Sequence, residues 1–251
     1  MERPVGSFGH ETAASHGRCV FVSDLHHFAR RSQQERFEEQ LREAVRCSDR
    51  VVLGGDIFDF KWSTLADHRR TVEAAAEWLE ALTELNAGCR IDYVLGNHDF
   101  DPLLMRRLDE LTLRRDRFRW HKYVLQVASS LFLHGDVADR RTTHQGLESR
   151  RERWSVHRPP HPLRHDLYDL ALKFQLHKVP SALVHRPRSV MRRLLYYVDR
   201  HPELDRASIR RIYFGHTHVP IDGLRFDGID FYNPGAPIGG LPFRLIDVRL
   251  D

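Results

Sequence analysis

The sequence predicts an α/β fold whose opening part is a run of parallel βαβ units. Three observations point there. Short β-rich runs recur and each ends in a polar or glycine-containing turn, amphipathic helical patterns lie between them, and metal-ligating side chains cluster where the runs end. The first run, Cys19-Val20-Phe21-Val22-Ser23, reads as a strand. Phe37, Leu41, Ala44 and Val45 follow at the i, i+4, i+7 spacing of a helix with one buried stripe. Val51-Val52-Leu53-Gly54-Gly55 is the next strand, Val72, Ala76 and Leu79 mark the next helix, and Ile91-Asp92-Tyr93-Val94-Leu95-Gly96 is a third strand. Tyr123-Val124-Leu125-Gln126-Val127 and Leu131-Phe132-Leu133 read as a hairpin around Ala128-Ser129-Ser130. Residues 137–211 then interrupt the strands. Leu167, Leu170, Ala171 and Phe174, and again Met191, Leu194, Leu195 and Val198, repeat at helical spacing, punctuated by Pro159, Pro160, Pro162 and Pro180. This predicts a helical insertion inside a single domain spanning 1–251. Strands resume at Ile212-Tyr213-Phe214 and continue through Phe231-Tyr232 to Phe243-Arg244-Leu245-Ile246-Asp247-Val248.

Composition narrows the class. The chain has 251 residues, 41% hydrophobic and 29% charged. No apolar run approaches the ~18 residues of a membrane span, so a transmembrane protein is excluded, as is intrinsic disorder. The opening MERPVGSFGHETAASHGR has no apolar segment of the kind an export signal needs, and the three cysteines Cys19, Cys47 and Cys89 cannot all pair. A cytoplasmic location is expected. Charge is uneven: residues 137–211 carry 17 Lys+Arg against 8 Asp+Glu, a net of +9, while the rest carries −5. That asymmetry suits an anionic partner, a phosphate, a nucleic acid or an acidic membrane surface, and equally a solvated arginine-rich face. No motif for specific nucleic-acid recognition is present.

The chemistry lies in five clusters at strand ends: Asp24-Leu25-His26, Gly55-Asp56 with Asp59, Gly96-Asn97-His98-Asp99, His134-Gly135-Asp136, and Gly215-His216-Thr217-His218. Carboxyl ends of strands are where loops of an α/β fold converge over one crevice. A lone Asp-x-His or His-x-His is more often a satisfied or exposed histidine, so the weight rests on the set. Imidazole, carboxylate and amide donors suit Mn, Fe or Zn, and three cysteines cannot build a tetrathiolate site. Two adjacent ions need a shared anion, and Asp56 on its glycine-flanked turn is the candidate bridge. His216 and His218 alternate and, unless the chain turns between them, point to different ions. Such ions stand ~3.5–4 Å apart and lower the pKa of a shared water toward ~7, giving a hydroxide for in-line attack on phosphorus.

The ordered set D-x-H, G-D-x-x-D, G-N-H-D, H-G-D and G-H-T-H resembles that of the calcineurin-like metallophosphoesterase superfamily, from residue 19 to about 240. The resemblance implies an α/β fold in the form of a four-layer α/β/β/α sandwich with a helical insertion, a lid, at about 137–211. It implies two divalent ions, Mn first with Fe or Zn as alternatives. Asp24, His26, Asp56 and His218 would surround one, and Asp56, Asn97, His134 and His216 the other. It further implies that His98 is no ligand but donates a proton to the leaving oxygen, with Asp99 orienting the imidazole. A plainer reading of Asp99 is the N-cap of a helix starting near Phe100. Asp59 and Asp136 are either partners that fix ligand tautomers or turn residues.

Within the superfamily, Phe60 stands where protein Ser/Thr phosphatases have Arg, which excludes that branch. Phe58-Asp59-x-x-Trp62, Phe100 and the insertion instead look like the UDP-2,3-diacylglucosamine pyrophosphohydrolases of lipid A synthesis. That likeness implies a lipid-linked or nucleotide-linked pyrophosphate substrate, acyl chains under the basic helices, and peripheral contact with an anionic membrane. Apolar stripes that merely dock the helices are the plain alternative. His98 departs from the Arg common in that branch and His27 from the usual Leu. An alkoxide needs a proton to leave whereas a nucleoside monophosphate does not, so His98 points to a phosphomonoesterase or phosphodiesterase as the alternative. A non-catalytic binding module on the same fold is the third reading, disfavoured because every ligand type is present.

Overall fold

Residues along the central strands alternate between two apolar surroundings, and that alternation builds the layers. The computed structural model describes residues 9–11, 17–65, 67–155 and 186–250. In chain order its first half contains β1 (Gly9–Glu11), β2 (Cys19–Val22), α1 (Glu38–Arg46), β3 (Arg50–Leu53), α2 (His68–Glu84), β4 (Arg90–Val94), α3 (Pro102–Arg114) and β5 (Phe118–His121). Then come β6 (Val124–Val127), β7 (Ser130–Leu133), α4 (His144–Trp154), α5 (Pro187–Val198), β8 (Arg211–Phe214), β9 (Ile221–Phe226), β10 (Ile229–Asn233) and β11 (Ile246–Val248).

One sheet has the order β11-β2-β3-β4-β5, with β2 to β5 parallel; the other has the order β1-β6-β7-β8-β10-β9 and is mixed. Cys19 and Phe21 of β2, Val52 of β3 and Val94 of β4 meet Leu125, Val127, Phe132 and Tyr213 of the second sheet, forming an apolar layer between the sheets. The alternate residues, Val20, Val22, Val51, Leu53, Ile91 and Tyr93, face α1, α2 and α3 through Leu41, Ala44, Val45, Val72, Leu79 and Leu104. On the far side Leu131, Leu133, Ile212 and Phe214 meet Leu147 of α4 and Val190, Met191, Leu194, Leu195 and Val198 of α5. The result is two sheets face to face, flanked by helices on both outer faces: the α/β sandwich that the family resemblance implies.

The helix starts have local causes. Asp67 caps α2 by accepting from the Arg70 N–H, and Thr143 caps α4 by accepting from the Gly146 N–H. Asp101 caps α3 through the Leu103 and Leu104 N–H groups, with Pro102 in the first turn. The cap is therefore Asp101 and not Asp99, whose carboxylate turns inward. The apolar stripe Met191–Val198 docks α5 on the second sheet, so within the 137–211 segment this helix belongs to the sandwich itself. The other expected stripe, Leu167–Phe174, lies outside the described residues, as do the four prolines beside it.

β1 has no apolar pattern and is not predicted by the sequence. It pairs parallel to β6, and Glu11 ties it across to the first sheet: the Glu11 carboxylate meets Arg50 Nη2 at 2.5 Å and also pairs with Arg90. Both arginines also face the fully buried Asp92.

Candidate metal centre

Every expected cluster sits beyond a strand's carboxyl end: Asp24 after β2, Asp56 after β3, Asn97 and His98 after β4, His134 after β7, and His216 and His218 after β8. The strands of both sheets thus aim their loops at one edge of the sandwich. The turns there are sharp. Asp24, His26, Asp56, His216 and His218 all have positive φ, between 48° and 64°, which costs a non-glycine residue about 1–3 kcal/mol each unless the surroundings enforce it. Here they do. The Asp24 and His26 N–H groups donate to the Gly55 and Asp56 carbonyls at 3.0 and 2.9 Å, and the His216 N–H donates to both Asp24 oxygens at 2.9 and 3.0 Å. A Cβ on Gly96 would lie 2.1 Å from Asp56 Oδ1, and Gly55 is itself left-handed at φ 88° with Gly96 backbone 2.7 Å from where its Cβ would stand.

His216 and His218 do not alternate along an extended strand. The Thr217 N–H donates to the Gly215 carbonyl at 2.7 Å, so the chain turns between them. Buried Thr217 points inward to Asn233, and the two imidazoles still enter different groups.

One group is Asp24, His26 and His218: the His26 and His218 Nε2 atoms face each other at 3.3 Å, and His218 Nε2 lies 3.4 Å from Asp24 Oδ1. A second is Asp56, His134 and His216; there His134 Nε2 lies 3.2 Å from Asp56 Oδ2 and 3.1 Å from the Asn97 amide oxygen, while a third cluster, His26, Asp59 and His98, shares His26 with the first. Asp56 Oδ2 also lies 3.9 Å from His26 Nε2, so this carboxylate stands between the two groups. The seven positions form two facing sets of N and O donors, each with its His and Asp ligand atoms within 4.8 Å of one another.

Electrostatics say what the pocket would hold. Asp24, Asp56, Asp59, Asp99 and Asp136 are all buried here. Burial acts against each charge, yet His134 and His98 hold Asp56 far below the usual carboxylate range, and His218 and His134 lower Asp24. In return, and despite its own burial, His134 is pushed up to about 10 by Asp56 and Asp24. Buried carboxylates at this density call for cations. The donor set fits two divalent ions.

His98 lies beside this pair. Its Nδ1 stands 3.0 Å from Asp59 Oδ1, and Asp59 Oδ2 stands 3.3 Å from His26 Nδ1. Burial opposes protonation, but Asp59 and Asp56 raise His98 to about 9. Asp59 is itself held in its turn by the Lys61 and Trp62 N–H groups at 3.1 and 2.9 Å. Asp59 thus stands within ion-pair distance of two imidazoles and closes a turn.

The orienting role expected of Asp99 is not found. Its carboxylate accepts from the Gly96 N–H at 2.5 Å, the Ile57 N–H at 2.9 Å and the Tyr93 hydroxyl at 2.6 Å. It therefore splices the Asp56 and Asn97 loops together from behind, and burial with the nearby Asp56 raises it to about 6.

Three further residues, unmarked by any sequence motif, complete the surroundings. Arg151 of α4, 1% exposed, forks onto Asp136 at 2.8 and 3.0 Å and donates to the Leu95 and Lys122 carbonyls at 2.9 Å each. It locks the loops bearing His134 and Asn97 to one helix. Asp139 Oδ1 lies 2.8 Å from His216 Nε2. Trp154, at the end of α4, has its ring 5.7 Å from that of His98 and 4.3 Å from Lys61 Nζ. His27 is buried against Trp78 and Phe58 and faces no metal group.

The family model for calcineurin-like phosphoesterases matches residues 17–220. Among solved structures the chain is similar to a phosphopantetheinyl hydrolase from Mycobacterium tuberculosis, at 16% identity and TM-score 0.45, over 93% of this chain and 96% of that one. It is also similar to a dimetal phosphatase from Danio rerio, at 15% identity and TM-score 0.40, over 88% of each chain. No curated protein sequence matches it.

Proposed function

The chain belongs to the calcineurin-like phosphoesterase family and is a metal-dependent hydrolase, and from that premise we propose that its substrate is a phosphate ester whose leaving oxygen is protonated by His98. Asp24, His26, Asp56 and His218 would hold one divalent ion and Asp56, Asn97, His134 and His216 the other, with Asp56 between them. Bound there, such ions supply Lewis acidity to a phosphoryl oxygen and acidify water near neutral pH. The chain's own residues do the rest. Asp59 holds His98 by Nδ1, which leaves Nε2 to carry the proton for the departing group, and the same carboxylate holds His26. Asp99 keeps the two ligand loops in register.

The observation that carries the ester reading is the His98–Asp59 pair facing the cleft. A protonated imidazole gains most where the leaving group is a poor one, an alkoxide rather than a phosphate. Hydrolysis of a lipid-linked pyrophosphate such as UDP-2,3-diacylglucosamine is less well supported. The residues that suggested it have local roles: Asp59 closes its turn and pairs with histidines, and Phe100 packs into the core. Among the described residues no helix is long and apolar enough to cross a membrane.

The test compares metal-loaded wild type with His98→Ala on an alkyl and a p-nitrophenyl ester of the same phosphate. Loss of an acid should cost about 10²–10⁴-fold on the alkyl ester and much less on the nitrophenyl one. An equal loss on both would remove His98 from the leaving-group side. Release of UMP from UDP-2,3-diacylglucosamine at a rate above either ester would favour the pyrophosphate reading.

A further inference from the structure

We infer that Trp154, at the end of α4, is a positioning residue for His98: its indole sets the tilt of the imidazole, and with it the direction in which Nε2 presents its proton. This rests on the reading that His98 protonates the leaving oxygen, and it adds the residue that aims the proton.

The carboxylate beside His98 does not aim it. The His98 N–H donates to Asp56 Oδ1 at 2.8 Å, which anchors the backbone, and Nδ1 lies 3.0 Å from Asp59 Oδ1. That pair has the distance of an ion pair without the alignment of a hydrogen bond, for the buried Nδ1 has no hydrogen-bond partner. With Cβ and Nδ1 placed, the ring can still swing about the line joining them, and the swing carries Nε2. Two rings bear on it. The His26 ring stands 5.0 Å away at 82° and the Trp154 ring 5.7 Å away at 65°, both in the edge-on arrangement that aromatic pairs prefer. His26 belongs to the group with Asp24 and His218. An indole ligates no metal, so the contact made by Trp154 is a separate constraint.

The indole is itself held in place. Arg151 stands three residues before it on the same face of α4, and its hydrogen bonds to Asp136, Leu95 and Lys122 fix that face against the ligand loops. The Ser155 N–H closes the last turn onto the Arg151 carbonyl at 2.9 Å. Lys61 adds a second tie: its Nζ lies 4.3 Å from the centroid of the Trp154 ring, a cation–π contact, while its N–H donates to Asp59 Oδ1 at 3.1 Å. Asp59, His98, Trp154 and Lys61 therefore form a closed circuit around the imidazole. Trp154 is 44% exposed, so burial in a core does not account for its place, and replacing it should leave the fold intact.

The test is a cycle of four Mn-loaded proteins, wild type, Trp154→Ala, His98→Ala and the double variant, on an alkyl and a p-nitrophenyl ester of the same phosphate. Trp154→Ala should lower kcat on the alkyl ester about 10–100-fold with KM little changed, and kcat on the nitrophenyl ester by less than about twofold. In the His98→Ala background the same replacement should change the alkyl rate by less than about twofold, because no proton is left to aim. Trp154→Phe, which keeps a ring, should recover most of the loss. Should Trp154→Ala not fold, Trp154→Leu takes its place in the cycle. Independently of activity, the His98 Hε1 resonance of the zinc-loaded chain at fixed pH should move in Trp154→Ala as the indole ring current is lost. An unmoved resonance, equal losses on both esters, a change in KM alone, or an undiminished loss in the His98→Ala background overturns the positioning role. If His98→Ala costs the alkyl ester selectively and Trp154→Ala costs neither, the acid stands and the positioning role falls; if His98→Ala costs both esters equally, the acid reading falls and takes the inference with it.

Discussion

Replacing Arg151 with Met exposes how the centre is held. The side chain is fully buried, and its guanidinium meets four acceptors: both Asp136 oxygens and the carbonyls of Leu95 and Lys122. Met matches much of the volume and none of the donors. Removing one partner of a buried pair costs up to about 3–5 kcal/mol, less the part that Arg150, 3.6 Å from Asp136 Oδ2, still compensates. Each orphaned carbonyl adds about 1–3 kcal/mol where no water reaches it. These costs overlap, so the expected loss is about 4–6 kcal/mol, a large part of the ~5–15 kcal/mol by which a domain is stable. Urea unfolding of Arg151→Met and wild type, both metal-free, measures it. Since Leu95 precedes Asn97 by two residues and Asp136 follows His134 by two, metal affinity should fall as well. Asp136→Asn in the Met background should recover part of the loss by removing the stranded charge. A destabilisation below about 1.5 kcal/mol would refute the reasoning, showing that water or a rearranged helix satisfies these groups.

The other predictions are shorter. Gly96→Ala should keep the fold but lose metal on dialysis, because its Cβ would stand 2.1 Å from Asp56 Oδ1; retained metal would mean the loop yields freely. Asp59→Asn should slow turnover of alkyl esters and lower the pKa of His98, read by NMR, since Asp59 is the leading charge that raises it. Burial alone would raise Asp92, but His121, Arg90 and Arg50 more than offset that and lower it. A depressed folded pKa gives stability that is fully present above the unfolded value of ~3.9 and lost as pH falls through the lower folded value. Asp92→Asn should therefore be less stable than wild type at pH 7, by a gap that narrows as pH falls below the unfolded carboxylate value of ~3.9; a gap that does not narrow in acid would contradict the assignment.

What is legible in the amino-acid sequence, and what is not, divides along physical lines. Strand alternation and helical stripes are local patterns, so β2–β4, α1, α2 and the docking face of α5 can be read from the residues alone. The same holds for the siting of Asp24, Asp56, Asn97, His134 and His216 at strand ends, because the turn motifs that place them are contiguous. Pairings between loops are not contiguous, and there neighbourhood along the chain misleads. Asp99 follows His98 directly, and adjacency suggests a partnership; in the fold the carboxylate facing His98 comes from Asp59, 39 residues upstream, while Asp99 faces Tyr93 and two backbone N–H groups. Arg151 lies on a helix rich in charge, where nothing marks one arginine as buried. β1, Gly-His-Glu, has no apolar rhythm and is held by Glu11's pairs with Arg50 and Arg90, whose positions only the fold brings together.

Metal content and hydrolysis measured on the same samples test the central claim most directly. Wild type loaded with Mn should carry two ions per chain and hydrolyse a chromogenic phosphodiester only when loaded, and Asp56→Ala, lacking the carboxylate between the two donor groups, should lose both properties together. Hydrolysis that persists in Asp56→Ala, or a chain that binds two ions and cleaves no phosphate ester, would contradict it.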